Sequence, residues 1–252
     1  MSHSKYSLSI FFPCFNDSET IAGLVRGATT VARDLVDDHE IIVIDDGSTD
    51  SSREILLRLQ DELPELSLVF HETNGGYGAA LRSGFEAATK DLIFYTDGDG
   101  QYDVLDLSTL FPLMQNGIDV VNGYKISRND PLHRVVIGKF FNQFIRLLFN
   151  IQIRDVSCDF RLLRKSIFDE IQINHSSGIV CLELVKKLEM AGFQIAEAPV
   201  PHYDRVFGKS QFFNVPNVIA TARGLCQLWY QLVFCNQSPS EADHNTYTNA
   251  SK

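Results

Sequence analysis

Short apolar runs that end in acidic turns organise the first half of the chain. SLSIFFPCF (7–15) leads into Asn16-Asp17, EIIVIDD (40–46) into Gly47-Ser48, and DLIFYTD (91–97) into Gly98-Asp99-Gly100-Gln101. Runs of this length, rich in β-branched and aromatic residues, read as buried strands. LSLVFHE (66–72) and IDVVNGY (118–124) add two more, for five in all. The segments between them carry helical spacing. After a cap at Asp17 or Ser18, the apolar residues Ile21, Leu24, Val25, Ala28, Val31, Ala32 and Leu35 share one face. GSTDSSREILLRL and AALRSGFEAAT read as the second and third helices, the latter after a GGYG turn. Strand–helix alternation of this kind implies an α/β fold with a mainly parallel sheet covered on both faces. Ligands then bind beyond the carboxyl ends of the strands, where the acidic turns lie.

The charge balance narrows the partners. Lys and Arg total 22 against 32 Asp and Glu, a net charge of −10, which argues against a broad nucleic-acid surface. Five cysteines, an odd number with no CxxC pair, read as reduced thiols and place the chain in the cytoplasm. The opening residues do not form a secretion signal, and no stretch is apolar for the roughly 18 residues a spanning helix needs. Residues 236–252 are polar and rich in Ser and Asn and read as a disordered tail.

Four stretches carry possible chemistry. Asp45-Asp46-Gly47-Ser48 is either a turn with a helix cap or a pair of carboxylates for a base and ribose. In Asp97-Gly98-Asp99-Gly100-Gln101, two carboxylates two residues apart can converge on one hard cation, and the glycines leave room for a diphosphate. A calcium loop is excluded, because its required Gly and acid are here Tyr102 and Ser108. Asn74-Gly75-Gly76-Tyr77-Gly78 is a plain turn or a set of amides facing an anion. The 131–154 segment holds Arg134, Lys139, Arg146 and Arg154 with no acid until Asp155, and Phe140, Phe141, Phe144, Ile145 and Leu148 on one helical face. It is a core helix with a basic face, or a helix that lies on an anionic membrane. A second stripe, Val218, Ala222, Leu225, Trp229 and Leu232 with Tyr230, poses the same choice between packing and a membrane interface.

In order, FPCFNDSETI, EIIVIDDGSTDSS, NGGYGAALRSGFEAA, TDGDGQYD, DVVNGYK, DVSCDFRLLRK and YDRVFGKS resemble the family 2 glycosyltransferases of the GT-A fold. Within that family they resemble the dolichol-phosphate mannose synthase and polyprenyl-phosphate glycosyltransferase group. The resemblance covers about residues 7–212. It implies a three-layer GT-A sandwich over residues 1–235, with possible membrane- or partner-facing helices at 131–154 and 213–235.

The resemblance also implies roles. Pro13, Phe15 and Asp17 would contact the nucleotide, and Val43 and Asp45 its base and ribose. Asp97, Gly98, Asp99 and Gln101 match a donor motif, with Asp97, Asp99 and Gln101 as the metal set for Mg²⁺ or Mn²⁺. Lys125 and Arg205 would join Asp99 in catalysis as fixed cations on the leaving diphosphate. Lys209 and Gln211 would complete the donor loop, with Gln211 where a basic residue is usual. Arg134 and Lys139 would meet an acceptor phosphate.

The implied reaction is an inverting transfer of a sugar from a nucleotide-diphosphate donor, GDP-mannose or a UDP-hexose, to a polyprenyl phosphate. Such an acceptor is largely a dianion at neutral pH, its second pKa being roughly 6, and needs no general base. A sugar hydroxyl acceptor would need one, for which Asp159 is the candidate. A nucleotidyltransferase would carry a basic Gly-rich loop after the first strand, where NDSET is acidic. A non-catalytic nucleotide-sugar-binding protein is the remaining alternative. A lipid acceptor implies a peripheral place on the cytosolic membrane face, either direct or through a membrane-anchored partner subunit.

Overall fold

The computed structural model describes residues 4–115, 117–128, 132–204, 215–235 and 238, with backbone alone at 127, 128, 132–137, 139 and 215–220. Apart from Ser238, the polar segment from 236 onward lies outside the described residues.

The first half follows the expected alternation. Strand β1 is Leu8–Cys14, helix α1 Ile21–Leu35, β2 His39–Asp45, α2 Ser52–Glu62, β3 Leu66–Phe70, α3 Tyr77–Ala87 and β4 Leu92–Thr96. A short helix α4, Leu107–Leu110, precedes β5, Val120–Arg128. Two details differ from the sequence expectation. Helix α3 begins at Tyr77, so the last two residues of GGYG are helical. Neither Asp17 nor Ser18 caps α1 with its side chain; Thr20 is the N-cap residue, and the Asp17 backbone carbonyl accepts from the Thr20 and Ile21 amides. The Asp17 carboxylate instead takes the Phe15 amide at 3.0 Å.

Two further strands have no counterpart in the sequence expectation. After α5 (Leu132–Phe149) comes β6, Phe160–Arg164; after α6 (Val180–Ala191) comes β7, Ile195–His202; α7 is Val215–Trp229, continued by a wide turn over Tyr230–Phe234. The arginines of FRLLR and the prolines of IAEAPVPH hide their strand character. Pro199 and Pro201 are tolerated because β7 is an edge strand.

The seven strands form one sheet in the order β3-β2-β1-β4-β6-β5-β7. Every pairing is parallel except those of β6 with β4 and β5. The chain winds outward from β1 through β2 to β3, then returns to β4 on the other side of β1. That reversal opens a crevice at the carboxyl ends of β1 and β4, where a doubly wound sheet binds its ligand.

Helices cover both faces. One core packs α1, α2 and α4 on the sheet around Phe12, Phe94 and Phe160. The other packs α3 and α6 around Phe11, Phe85 and Tyr95, with Phe11 stacked on Tyr95 at 5.4 Å and edge-on to Phe85 at 5.1 Å. Each such ring taken out of water contributes about 1.5–3 kcal/mol. A third cluster joins Ile145 and Phe149 of α5 to Leu182 and Val185 of α6 and to Leu228 and Leu232.

This third cluster decides what the two amphipathic stripes do. Leu225, Trp229 and Leu232 pack inward, and the Trp229 indole N–H donates to the Leu148 carbonyl at 3.0 Å. Trp229 is therefore a packing residue and not an interface anchor, while Ala222 is exposed. The α5 face is split: Ile145 is buried, whereas Phe140 (80% exposed), Phe144 (55%) and Leu147 (73%) stand out from the surface. Among the described residues no helix is long and apolar enough to cross a membrane.

Candidate active site

Three turns meet at the crevice. After β1, Asn16 adopts a left-handed conformation (φ 59°), and its Oδ1 accepts the Thr49 amide at 2.8 Å and the Asp50 amide at 3.2 Å. The turn after β1 is thereby tied to the turn after β2. After β4, Gly98 is pressed against the first turn: a Cβ there would lie 2.5 Å from the Pro13 carbonyl oxygen. Its carbonyl accepts from the Thr20 hydroxyl at 2.7 Å. The small size of Gly98 thus serves the contact between β1 and β4. Pro13 is buried in that contact, while Phe15 and Asp17 are partly exposed at the crevice edge.

The second turn departs from the expected nucleotide site. Val43 lies wholly within the core and cannot touch a ligand. Asp45 is 0% exposed; its two oxygens take the Ser48 amide at 3.1 Å and Arg53 Nε at 2.8 Å. Its carboxylate holds the turn into α2. Asp46 has a comparable internal role. Its Oδ1 accepts from the Gly75 amide (2.8 Å) and contacts His71 Nδ1 (2.6 Å), and its Oδ2 accepts the Gly76 amide (2.9 Å). The glycine-rich loop does present amides to an anion, and that anion is Asp46.

The carboxylates after β4 lie at the centre. Tyr77, the first residue of α3, donates its hydroxyl to Asp97 Oδ1 at 2.6 Å. Burial pushes the Asp97 carboxyl well above the usual carboxylate range, and the nearby Asp159 and Asp99 push it further. The Tyr77 hydrogen bond and the charge of Lys125 pull it back. Asp99 Oδ1 accepts the Gln101 amide at 3.0 Å. The Gln101 side-chain amide donates to the Tyr203 carbonyl at 3.0 Å, and the Tyr203 amide returns a bond to the Gln101 carbonyl. Gln101 therefore ties the β4 turn to the end of β7.

Mutually repelling carboxylates at a crevice suit a hard divalent cation. Among the described residues, no three His, Cys, Asp or Glu side chains converge as a ready metal cage. That fits Mg²⁺-type sites, which use one or two carboxylates and take other ligands from water and phosphate.

Asp159 sits beside this group and is held from behind. Arg161, 0% exposed, donates from Nη1 to Asp159 Oδ1 (2.8 Å) and to the Tyr95 hydroxyl, from Nε to Asn122 Oδ1 (2.6 Å), and from Nη2 to the Val156 carbonyl (2.6 Å). Lys125 does not reach out as a free cation. Its Nζ donates to the Ser157 carbonyl and hydroxyl and lies 3.6 Å from Asp155. Its charge reaches Asp97 from that position.

The segment 172–176 closes the other side. Glu183, 1% exposed, accepts the Asn174 amide at 3.0 Å and the His175 amide at 2.9 Å, and pairs with Lys187 at 2.9 Å. Burial alone would raise its carboxyl, but the His175 side chain, 3.1 Å away, and Lys187 hold it at about 2. Arg82 of α3 binds the Asn174 and His175 carbonyls and the Ser176 hydroxyl.

Arg205, Lys209 and Gln211 lie outside the described residues, as do the side chains of Arg134 and Lys139 on α5. The residues that sequence reasoning missed are Tyr77, Arg82, Arg161 and Glu183. Tyr77 and Arg161 fall inside stretches already singled out, but their roles depend on a partner far along the chain.

Comparison with solved structures finds the same fold. Glucosyl-3-phosphoglycerate synthase from Mycobacterium tuberculosis with Mn²⁺, UDP and glucosyl-3-phosphoglycerate matches at 18% identity and TM-score 0.66, over 90% of this chain and 79% of that one. The same enzyme with Mn²⁺, UDP and phosphoglyceric acid matches at 18% identity and TM-score 0.68, over 90% and 78%. Its complex with Mg²⁺ and UDP matches at 17% identity and TM-score 0.66, over 88% and 80%. The family described as Glycosyl transferase family 2 matches residues 9–172, well over half of the chain, and the chain belongs to that family of glycosyltransferases.

Proposed function

We propose that the protein transfers a hexose from a nucleotide-diphosphate sugar to a polyprenyl phosphate, with inversion at the anomeric carbon. The observation that carries the choice of acceptor is a small apolar cleft of about 60 Å³, partly open to solvent, between α5, α6 and α7. Phe141, Ile145, Val156, Ile179, Leu182 and Leu225 line it, with Ser157 and Cys181 at one end. That end adjoins the charged group: Ser157 holds Lys125, and the Cys181 thiol lies against Asp159. An acceptor with an anionic head and a hydrocarbon tail matches such a cleft in chemistry: the apolar lining would take the first part of the tail, and the charged group would take the head.

The proton chemistry supports the same acceptor. Asp159, the candidate base for a sugar hydroxyl, already accepts from the buried Arg161 through Oδ1. A phosphate dianion attacks without a base. Asp99, with Asp97 and Gln101 beside it, would hold Mg²⁺ or Mn²⁺. The bound cation would neutralise the charge that builds on the departing diphosphate. Lys125, fixed by Ser157 and Asp155, adds positive potential near Asp97 without a side-chain rearrangement. Arg205 and Lys209 are proposed for the donor loop, and Arg134 and Lys139 for the acceptor phosphate.

A lipid acceptor carries with it a peripheral place on the cytosolic face of a membrane. The exposed Phe140, Phe144 and Leu147 beside Arg146 and Arg154 support that attachment. The synthases of similar fold are described with phosphoglyceric acid, a small polar molecule, whereas the cleft here is apolar. The test is a screen of nucleotide sugars with Mn²⁺ for nucleoside diphosphate release, run with polyprenyl phosphate, with 3-phosphoglycerate and with neither. Release that depends on polyprenyl phosphate is expected; release that depends on 3-phosphoglycerate overturns the assignment.

A further inference from the structure

We propose that Tyr77 is a positioning residue for the donor end of the site, its phenol fixing the Asp97 carboxylate toward the metal–nucleotide. The inference rests on the glycosyl-transfer reading above. Asp97 stands among like charges, Asp99 and Asp159, while the nearby cation Lys125 is drawn to Ser157 and Asp155. A carboxylate so placed gains by turning away from its neighbours. The Tyr77 hydroxyl prevents this: at 2.6 Å it makes a short hydrogen bond to Oδ1, which leaves Oδ2 as the oxygen to serve the crevice.

Tyr77 can act in this way because its own backbone is pinned from two sides. On one side the Gly75 and Gly76 amides are bound by Asp46. On the other the Gly78 amide donates to the Ser176 carbonyl at 2.8 Å, and Arg82 grips the same segment through three further bonds. The approach is so close that a Cβ on Gly78 would lie 2.1 Å from the His175 carbonyl oxygen. The ring packs against the Phe11–Phe85 core. The helix start therefore has little freedom, and the phenol arrives at Asp97 in one place.

The experiment is a calorimetric double-mutant cycle on Tyr77→Phe and Asp97→Asn, titrating Mn²⁺ with UDP or GDP. Phenylalanine keeps every ring contact and removes the hydroxyl alone. Tyr77→Phe is expected to weaken Mn²⁺–nucleotide binding about tenfold, equivalent to about 1.4 kcal/mol. It should leave the acceptor KM and the thermal midpoint near wild type. In the Asp97→Asn background the same change should cost less than about twofold, because the partner it orients is gone. Equal losses in both backgrounds, or none in either, overturn the inference while leaving glycosyl transfer intact. Failure of the wild type to bind either nucleotide with Mn²⁺ contradicts the glycosyl-transfer reading, and the inference with it.

Discussion

Arg161 holds Asp159 from a position with no solvent exposure, its Nη1 donating to Oδ1 at 2.8 Å. The two residues are neighbours on one strand end, yet the arginine also reaches Tyr95 on β4 and Asn122 on β5. A single side chain thus locks three strands to the carboxylate cluster. A buried cation of this kind is tolerated because its donors are matched, and breaking the match is costly.

Replacing Arg161 with Met should therefore destabilise the fold by about 3–5 kcal/mol, since Asp159 would stay buried without its cation. Urea denaturation measures the loss. A change below about 1 kcal/mol, the size of an exposed ion pair, would show that solvent reaches the site more freely than the structure indicates.

Glu183 gives the acid limb of the stability profile. Its carboxyl is held at about 2 against an ordinary 4.5, so the folded state binds this proton less readily than the unfolded chain. The stability it contributes is complete above pH 4.5 and is lost as pH falls toward 2. Glu183→Gln should flatten that part of the pH dependence in chemical denaturation. An unchanged slope would show that other carboxylates set it.

The contact between α3 and the 174–176 segment leaves no room for a methyl group. Gly78→Ala should cost about 1–3 kcal/mol, because the displaced atom is a backbone carbonyl and not a flexible side chain. Thermal unfolding tests this, and a wild-type midpoint would refute the packing described here.

Which parts of this were legible beforehand follows from range. The strands β1 to β4 and their helices announce themselves through local periodicity, and the acidic turns lie at strand ends as the spacing requires. Strand β6 does not, because Arg161 and Arg164 break its apolar pattern and Arg161 becomes explicable only once Asn122 and Tyr95 are beside it. Asp45 and Asp46 misled for a related reason. A carboxylate at a strand end reads as a ligand site, and nothing local shows that Arg53 and the Gly75 and Gly76 amides occupy it. Trp229 read equally well as an interface anchor until the Leu148 carbonyl placed it inward.

The exposed α5 ridge carries the membrane proposal. Phe140→Asp with Phe144→Asp should reduce co-sedimentation with anionic vesicles by tenfold or more, each buried phenylalanine contributing about 1.5–3 kcal/mol. Binding equal to wild type would assign the ridge to a protein partner.

Asp99→Ala should abolish transfer while circular dichroism and the thermal midpoint stay near wild type, since Asp99 bonds within its own turn and packs in no core cluster. EDTA should do the same to the wild type. Transfer that survives either treatment would remove the metal from the account.

The acceptor assignment is tested most directly by incubating the protein with Mn²⁺ and labelled nucleotide sugars, then following the label into organic solvent. Parallel reactions would hold polyprenyl phosphate, the dephosphorylated polyprenol or 3-phosphoglycerate. The account predicts organic-soluble label with the polyprenyl phosphate alone, because only it joins an attacking phosphate to a tail for the apolar cleft. Label transferred to the polyprenol, or to 3-phosphoglycerate in the aqueous phase, would contradict it.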